Sequence, residues 1–238
     1  MNAYQNWKYN EYQQVGKDYS QPKEVEDYDS SHAQFRDVET ENATLIAMLN
    51  LCSDSSVLDI GCGTGEFALA SAKVSNSVLG IDVSPEMLKR ANEKRRGANL
   101  VNLDFAYAGY LDFEVPDESL DVVTSSFSLH HLPDFWKGVA LSRIWRSLKH
   151  EGVLFLRDVV MPDEEAIGCV NVFIGRQDER GGEFLRDDAI GHFREEFSTY
   201  SWVMLGLLER SGFSVELEEV KDGVLVEYLC RKRGACLD

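Results

Sequence analysis

A chain of 238 residues with 44% apolar and 27% charged side chains has the makeup of a globular protein and the length for one well-buried domain, since domains hold roughly 100 to 200 residues. Its 24 basic and 41 acidic side chains give a formal net charge of -17, a field that repels polyphosphate from most of the surface and disfavours a nucleic-acid partner. The opening MNAYQNWKYN has neither the basic start nor the apolar centre of a signal peptide, and no run approaches the ~20 apolar residues of a membrane span, so a cytoplasmic protein is expected.

Taken in chain order, residues 1–33 are polar and aromatic, with Tyr4, Trp7, Tyr9, Tyr12, Tyr19 and Tyr28 interleaved with charge, and read as a partly helical cap. Phe35, Val38, Leu45, Ile46 and Leu49 fall mostly at helical spacing and predict an amphipathic helix leading into the domain. Strands and helices then alternate. A strand over 56–60 runs into a glycine-rich turn and a helix over 66–73, and a second strand over 77–81 is closed by Asp82. Ser84 ahead of Pro85 is a helix start signal, so a helix covers 85–95. Strands follow over 99–105 and 120–125, then a helix over 134–148 and a fifth strand over 153–160, apolar except for Arg157 and Asp158. Near-continuous apolar strands alternating with helices predict a parallel sheet covered on both faces.

Residues 161–198 break this rhythm, carrying Gly168, Gly175, Gly181, Gly182 and Gly191 among charges, and read as an inserted lid or acceptor-binding segment. Its Arg176, Arg186, His192 and Arg194 suit either an anionic acceptor or plain solvation. A helix over 200–210 precedes strands over 213–220 and 224–230, joined by Lys221-Asp222-Gly223, an Asp-Gly hairpin signal that demands an antiparallel strand. The five cysteines, Cys52, Cys62, Cys169, Cys230 and Cys236, are odd in number and form no C-x-x-C pair, so they read as free thiols and no metal is expected.

The sharpest local signal is Val57 to Gly65, a strand entering the spacing G-x-G-x-G at Gly61, Gly63 and Gly65. Glycines there let the backbone bend and approach a ligand that a Cβ atom would push away. A dinucleotide fingerprint wants G-x-G-x-x-G, but position 66 is Glu66, whose charge would oppose a pyrophosphate on the helix start. At the end of the second strand, Asp82 stands where a carboxylate can accept both hydroxyls of a ribose.

These segments, together with Leu120 to Val123 and Ser126-Phe127-Ser128-Leu129-His130-His131-Leu132, resemble the class I S-adenosylmethionine-dependent methyltransferases, in particular the type 11 group. The resemblance covers roughly residues 35–160 and implies a Rossmann-like α/β fold. That fold is a doubly wound, mostly parallel seven-stranded sheet with an antiparallel C-terminal strand, a helical N-terminal cap and a lid insertion after strand 5. It divides a single methyltransferase domain over 1–238 into cap helices (1–52), cofactor-binding core (53–160), lid (161–198) and C-terminal helix and hairpin (199–238).

The resemblance further implies S-adenosyl-L-methionine as cofactor and S-adenosyl-L-homocysteine as product. By it, Gly61, Gly63 and Thr64 lie along the methionine part, Asp59 sits near the amino group, Asp82 holds the ribose, and Met87 and Ser126 line the site. Gly109-Tyr110-Leu111 stands where relatives usually carry Gly-Asp-Ala beside the adenine, so Asp112 or backbone groups must replace the absent aspartate. Tyr28 sits where relatives place a tyrosine that closes over the cofactor. His131, with His130 second, is the candidate general base or else a wall of the site, and Asp158 joins it as a catalytic candidate or a buried anchor. The acceptor reads as a small molecule taken by a monomer or homodimer, away from membranes. A tRNA or protein methyltransferase and a non-catalytic cofactor-binding domain stay open beside it, and an NAD-dependent oxidoreductase is disfavoured by the glycine spacing.

Overall fold

The computed structural model describes residues 7–13, 15, 16, 25 and 36–233. Helix α1 (Val38–Met48) starts where the Asp37 carboxylate accepts the Thr40 amide, and it leads into β1 (Ser56–Ile60). There follow α2 (Glu66–Ala72), β2 (Ser77–Asp82), α3 (Pro85–Ala98), β3 (Leu103–Tyr107), β4 (Leu120–Ser126), α4 (Asp134–Ser147) and β5 (Leu148–Met161). The chain closes with α5 (Ala166–Glu195), the two-residue β6 (Thr199–Tyr200), α6 (Ser201–Arg210), β7 (Phe213–Lys221) and β8 (Leu225–Lys232).

The strands form one sheet in the order β3-β2-β1-β4-β5-β8-β7, with β6 added beside β5. Pairings from β3 through β5 are parallel, while β8 runs antiparallel to both β5 and β7. Seven strands on the main path with an antiparallel C-terminal strand match the expected class, and β6 is the addition. One face packs α4 and α6 through Trp136, Ala140, Leu141, Ile144, Met204 and Leu208, and the other packs α1 and α2 through Leu45, Leu49, Ala68 and Ala72. Burial on both faces is why the strands carry so few polar residues. Among the described residues no helix is long and apolar enough to cross a membrane.

Three expectations shift. Strand β3 begins four residues later than its apolar run suggests, because α3 continues to Ala98 and ends on Asn99 in the left-handed region (φ 54°). Val101, read as part of a strand, is 97% exposed in the connecting turn. Strand β5 starts at Leu148, directly off α4. The segment read as an inserted lid or acceptor-binding segment, with no secondary structure assigned to it, is largely helical: Cys169, Val170, Phe173 and Ile174 pack with Val159 and Val224 at helical spacing. Only the adjacent Gly181 and Gly182 break α5, Gly182 adopting φ 61°, ψ -152°, a region essentially confined to glycine. At the end of the sheet, Asp222 (φ 51°) and Gly223 (φ 83°) make the hairpin turn as their sequence predicts.

Candidate functional site

Strand order reverses between β1 and β4, and the crevice outside the carboxyl ends of strands at such a switch point is where open α/β sheets bind ligands. The residues that leave β1, β2 and β4 all turn here. The amides of Gly61 and Cys62 both donate to the carbonyl of Ile81, at 2.9 and 3.0 Å, which pins the glycine bend to the end of β2. Gly61 sits at φ 69°, and a Cβ built on it would lie 2.3 Å from Oγ of Ser128 and 2.4 Å from its Cβ. The position therefore requires glycine on both conformational and steric grounds. Gly63 also has positive φ (53°), yet among the described residues a Cβ there would meet nothing within 4 Å, so the bend opens onto free space at this point.

Asp82 spans the bend. Its Oδ2 accepts the Gly63 amide and its Oδ1 accepts the Ser84 amide, both at 2.8 Å, while Ser84 Oγ accepts the amide of Met87 to cap α3. The Val83 amide adds to the stabilisation of this carboxylate, whose remaining acceptor capacity is available to a ligand. Asp59 is buried at the end of β1 and accepts a hydrogen bond from Thr124 Oγ1 at 2.8 Å. Burial, reinforced by the negative charge of Asp82 and opposed by the Thr124 hydroxyl, pushes the Asp59 carboxyl up to about 7.

The turn after β3 is covered by residues 7–13 of the N-terminal segment. Glu11 Oε1 accepts the Leu111 amide at 2.9 Å, and its carboxyl lies flush on Gly109, where a Cβ would fall 2.3 Å from Oε2. Among the described residues that buried Oε2 has no hydrogen-bond partner. Burial, helped by nearby Asp112 and opposed by the backbone amide, raises Glu11 to about 7. Asp112, expected to face the ligand, is engaged internally by the Gly109 amide (3.0 Å) and the Tyr12 hydroxyl (2.5 Å). Tyr110 is buried with its hydroxyl 2.5 Å from both Ser125 Oγ and Ser128 Oγ, so its side chain reaches from the β3 turn to the end of β4. Tyr9 donates from its hydroxyl to the His131 carbonyl at 3.3 Å.

Beyond β4, Phe127 takes φ 54°, a rare conformation for a bulky residue, which turns the chain so that Ser128 meets Gly61. His130 follows, buried, with Nδ1 on Asp158 Oδ1, its amide on Asp158 Oδ2 (3.0 Å), and Nε2 at 3.2 Å from Glu196 Oε2. His192 Nδ1 bonds the same Glu196 oxygen and its Nε2 lies 2.7 Å from Ser198 Oγ. Burial works against an imidazolium at His130, but Asp158 and Glu196 outweigh it and hold it up at about 9. Burial and the adjacent His130 charge instead bring His131 down to about 4, so the ring named as candidate base is neutral at pH 7 while its neighbour is charged.

Of the residues singled out in the sequence, the structure gathers Asp59, Gly61, Gly63, Asp82 and Tyr110 around the glycine bend, and His131 and Asp158 around His130. Ser126 ends β4 opposite Arg157. Thr64 is buried and its Oγ1 accepts from Lys94 Nζ at 2.9 Å, turning its side chain toward α3. Met87 is buried under the first turn of α3. Tyr28 lies outside the described residues. Glu11, Ser125, Ser128 and Glu196 escape the sequence reading. Only Glu196 leaves a local signal, standing four residues after His192 on the same helical face.

The profile of a family described as a methyltransferase domain matches residues 57–152. The chain is 30% identical over 200 residues to an uncharacterized methyltransferase of Geobacillus kaustophilus, covering 84% of this chain and 86% of that one. It is 28% identical over 194 residues to a demethylmenaquinone methyltransferase of Listeria welshimeri, 79% of this chain and 78% of the relative. The fold matches the crystal structure of an S-adenosylmethionine-dependent methyltransferase from Aquifex aeolicus with a TM-score of 0.64, at 19% identity over 90% of this chain and 99% of the other.

Proposed function

Because the chain belongs to the class I S-adenosylmethionine-dependent methyltransferases, we propose that it transfers a methyl group from S-adenosylmethionine to a small-molecule acceptor, leaving S-adenosylhomocysteine. The observation that carries this reading is the glycine bend held open at Gly63 and braced by Asp82. The remaining groups fit the same ligand. The Asp82 carboxylate has remaining acceptor capacity for ribose hydroxyls, Asp59 is a buried carboxyl suited to an ammonium, and the unpartnered Oε2 of Glu11 supplies beside Gly109 the acceptor that the missing aspartate would have given an adenine amine. When bound, the cofactor supplies a methyl group already activated on a sulfonium. The protein's own task is then orientation and exclusion of water. Tyr110 and residues 7–13 close over the crevice, and neutral His131 offers a proton acceptor to an acceptor group that still carries its hydrogen. The formal charge of -17 and the small-molecule substrate named for the Listeria relative support a metabolite over RNA. Incubation with methyl-labelled S-adenosylmethionine and a metabolite extract is expected to label small species, and label confined to RNA or protein fractions refutes the acceptor class.

Asp59 also gives the site a pH dependence. A cationic amino group needs the carboxylate, and the free protein holds Asp59 near 7, so binding is fully developed above that pH and weakens as pH falls through it. From pH 8 to pH 6 the affinity for S-adenosylhomocysteine is expected to fall roughly tenfold through Asp59 alone. Glu11, held near the same value, adds its own share. Calorimetric titrations at both pH values should therefore show a smaller change in Asp59→Asn, and almost none when Glu11→Gln is added. A double variant as pH-sensitive as the parent contradicts the assignment.

A further inference from the structure

We propose that His130, His192 and Glu196 form a binding site for one divalent transition-metal ion of the zinc class. One ligating atom of each residue lies within 4.8 Å of the other two, with His130 Nε2 and His192 Nδ1 both against Glu196 Oε2, although they come from the loop after β4 and the end of α5. Two imidazole nitrogens and one carboxylate are a ligand set for zinc, cobalt(II) or iron(II), whereas magnesium and calcium prefer all-oxygen shells.

Three features distinguish this cluster from a chance meeting of polar side chains. Each histidine has its other ring nitrogen engaged: Asp158 takes Nδ1 of His130, and Ser198 Oγ lies 2.7 Å from Nε2 of His192. That leaves the two remaining nitrogens facing Glu196, and such outer contacts are what orient metal-binding imidazoles. The frame is also fixed by backbone, since Phe197 donates to the His130 carbonyl at 2.9 Å and the Asp158 carboxylate accepts the His130 amide. Finally, the cluster buries two carboxylates, Asp158 at 1% and Glu196 at 7% side-chain exposure. Buried carboxylates call for positive charge beside them, which a dication at this point supplies.

Three protein ligands leave at least one position open, the arrangement of catalytic rather than structural zinc sites. The cluster neighbours His131, whose ring centroid is 4.5 Å from that of His130, and on the proposed function, on which this point rests, it suits an acceptor bearing oxygen or nitrogen. Binding uses the lone pairs of His130 Nε2 and His192 Nδ1, so a hydrogen on either nitrogen shifts to the other nitrogen of a neutral ring or leaves as a proton from a charged one.

The test is metal uptake by the full chain after chelator treatment, measured by equilibrium dialysis against zinc with elemental analysis, and by the visible absorption of cobalt(II) as a substitute. One zinc per chain is expected. His192→Ala and Glu196→Gln should each weaken binding by roughly 10- to 100-fold and bleach the cobalt spectrum, whereas His150→Ala, an exposed histidine outside the cluster, should change nothing. Zinc affinity unchanged in Glu196→Gln, or lost on alkylating the exposed Cys52, overturns the proposal, as does the absence of stoichiometric zinc. Titration of the same samples with S-adenosylhomocysteine keeps the two readings apart: a protein that binds the nucleoside and refuses zinc loses only the metal site.

Discussion

Gly61→Ala should lower the affinity for S-adenosylhomocysteine by at least ~100-fold, equivalent to about 2.7 kcal/mol, and should destabilise the fold as well. The added methyl would stand 2.3 Å from Ser128 Oγ at a backbone φ of 69°. The left-handed conformation costs about 1–3 kcal/mol and the overlap about as much again. The bend must shift to relieve them, yet its amides are tied to Ile81 and to Asp82, so relief at Gly61 drags the ligand-facing backbone with it. Thermal unfolding should drop by roughly 2–4 °C for each kcal/mol lost, as for other chains of this size. Gly61→Ala combined with Ser128→Gly separates the two costs, since it removes the overlap and keeps the backbone strain; it should regain part of the affinity. Parental affinity in the single variant would place the ligand away from this bend.

The second large effect is expected at Asp82. Asp82→Asn replaces one of two acceptor oxygens with an amide that donates, and whichever way the group turns, its NH2 confronts either the Gly63 or the Ser84 amide. Hydrogen bonds to a charged acceptor contribute about 1.5–3 kcal/mol, so losing one here, together with the grip on a ribose, should weaken S-adenosylhomocysteine about 100-fold. Methyl transfer at subsaturating S-adenosylmethionine should fall in parallel. Asp82→Glu is no rescue, because the longer arm displaces both oxygens from amides fixed at 2.8 Å. A variant whose stability falls while its ligand affinity holds would make Asp82 a brace for the bend and nothing more.

How far the sequence carries can be judged residue by residue. The alternating apolar strands, the glycine spacing, Ser84 as a cap and the Asp222-Gly223 turn are all local signals, and the fold places them where they point. Strand β3 was displaced by a single residue, Asn99, whose left-handed conformation ends a helix that propensity alone does not stop. Helix α5 was hidden because isolated glycines resemble breaks, although only the adjacent pair at 181 and 182 changes the backbone. Within the site, Gly61 and Asp82 follow from position along strands, and Asp59 from the family resemblance. Glu11 and Ser128 do not, since each matters only through a partner distant in sequence, Leu111 and Gly61, and Glu196 shows in the sequence only its spacing to His192, its bond to His130 being long-range. Thr64 shows the converse, a motif residue whose hydroxyl is taken by Lys94.

The short N-terminal stretch has one more effect on turnover. Tyr9 leans on the backbone of His131 while Glu11, two residues on, seals the amide of Leu111. The same stretch thus touches both the turn proposed for the nucleoside and the histidine loop proposed for the acceptor. On the proposed function, loading and unloading of both ligands then take place along a border that this stretch shares between them.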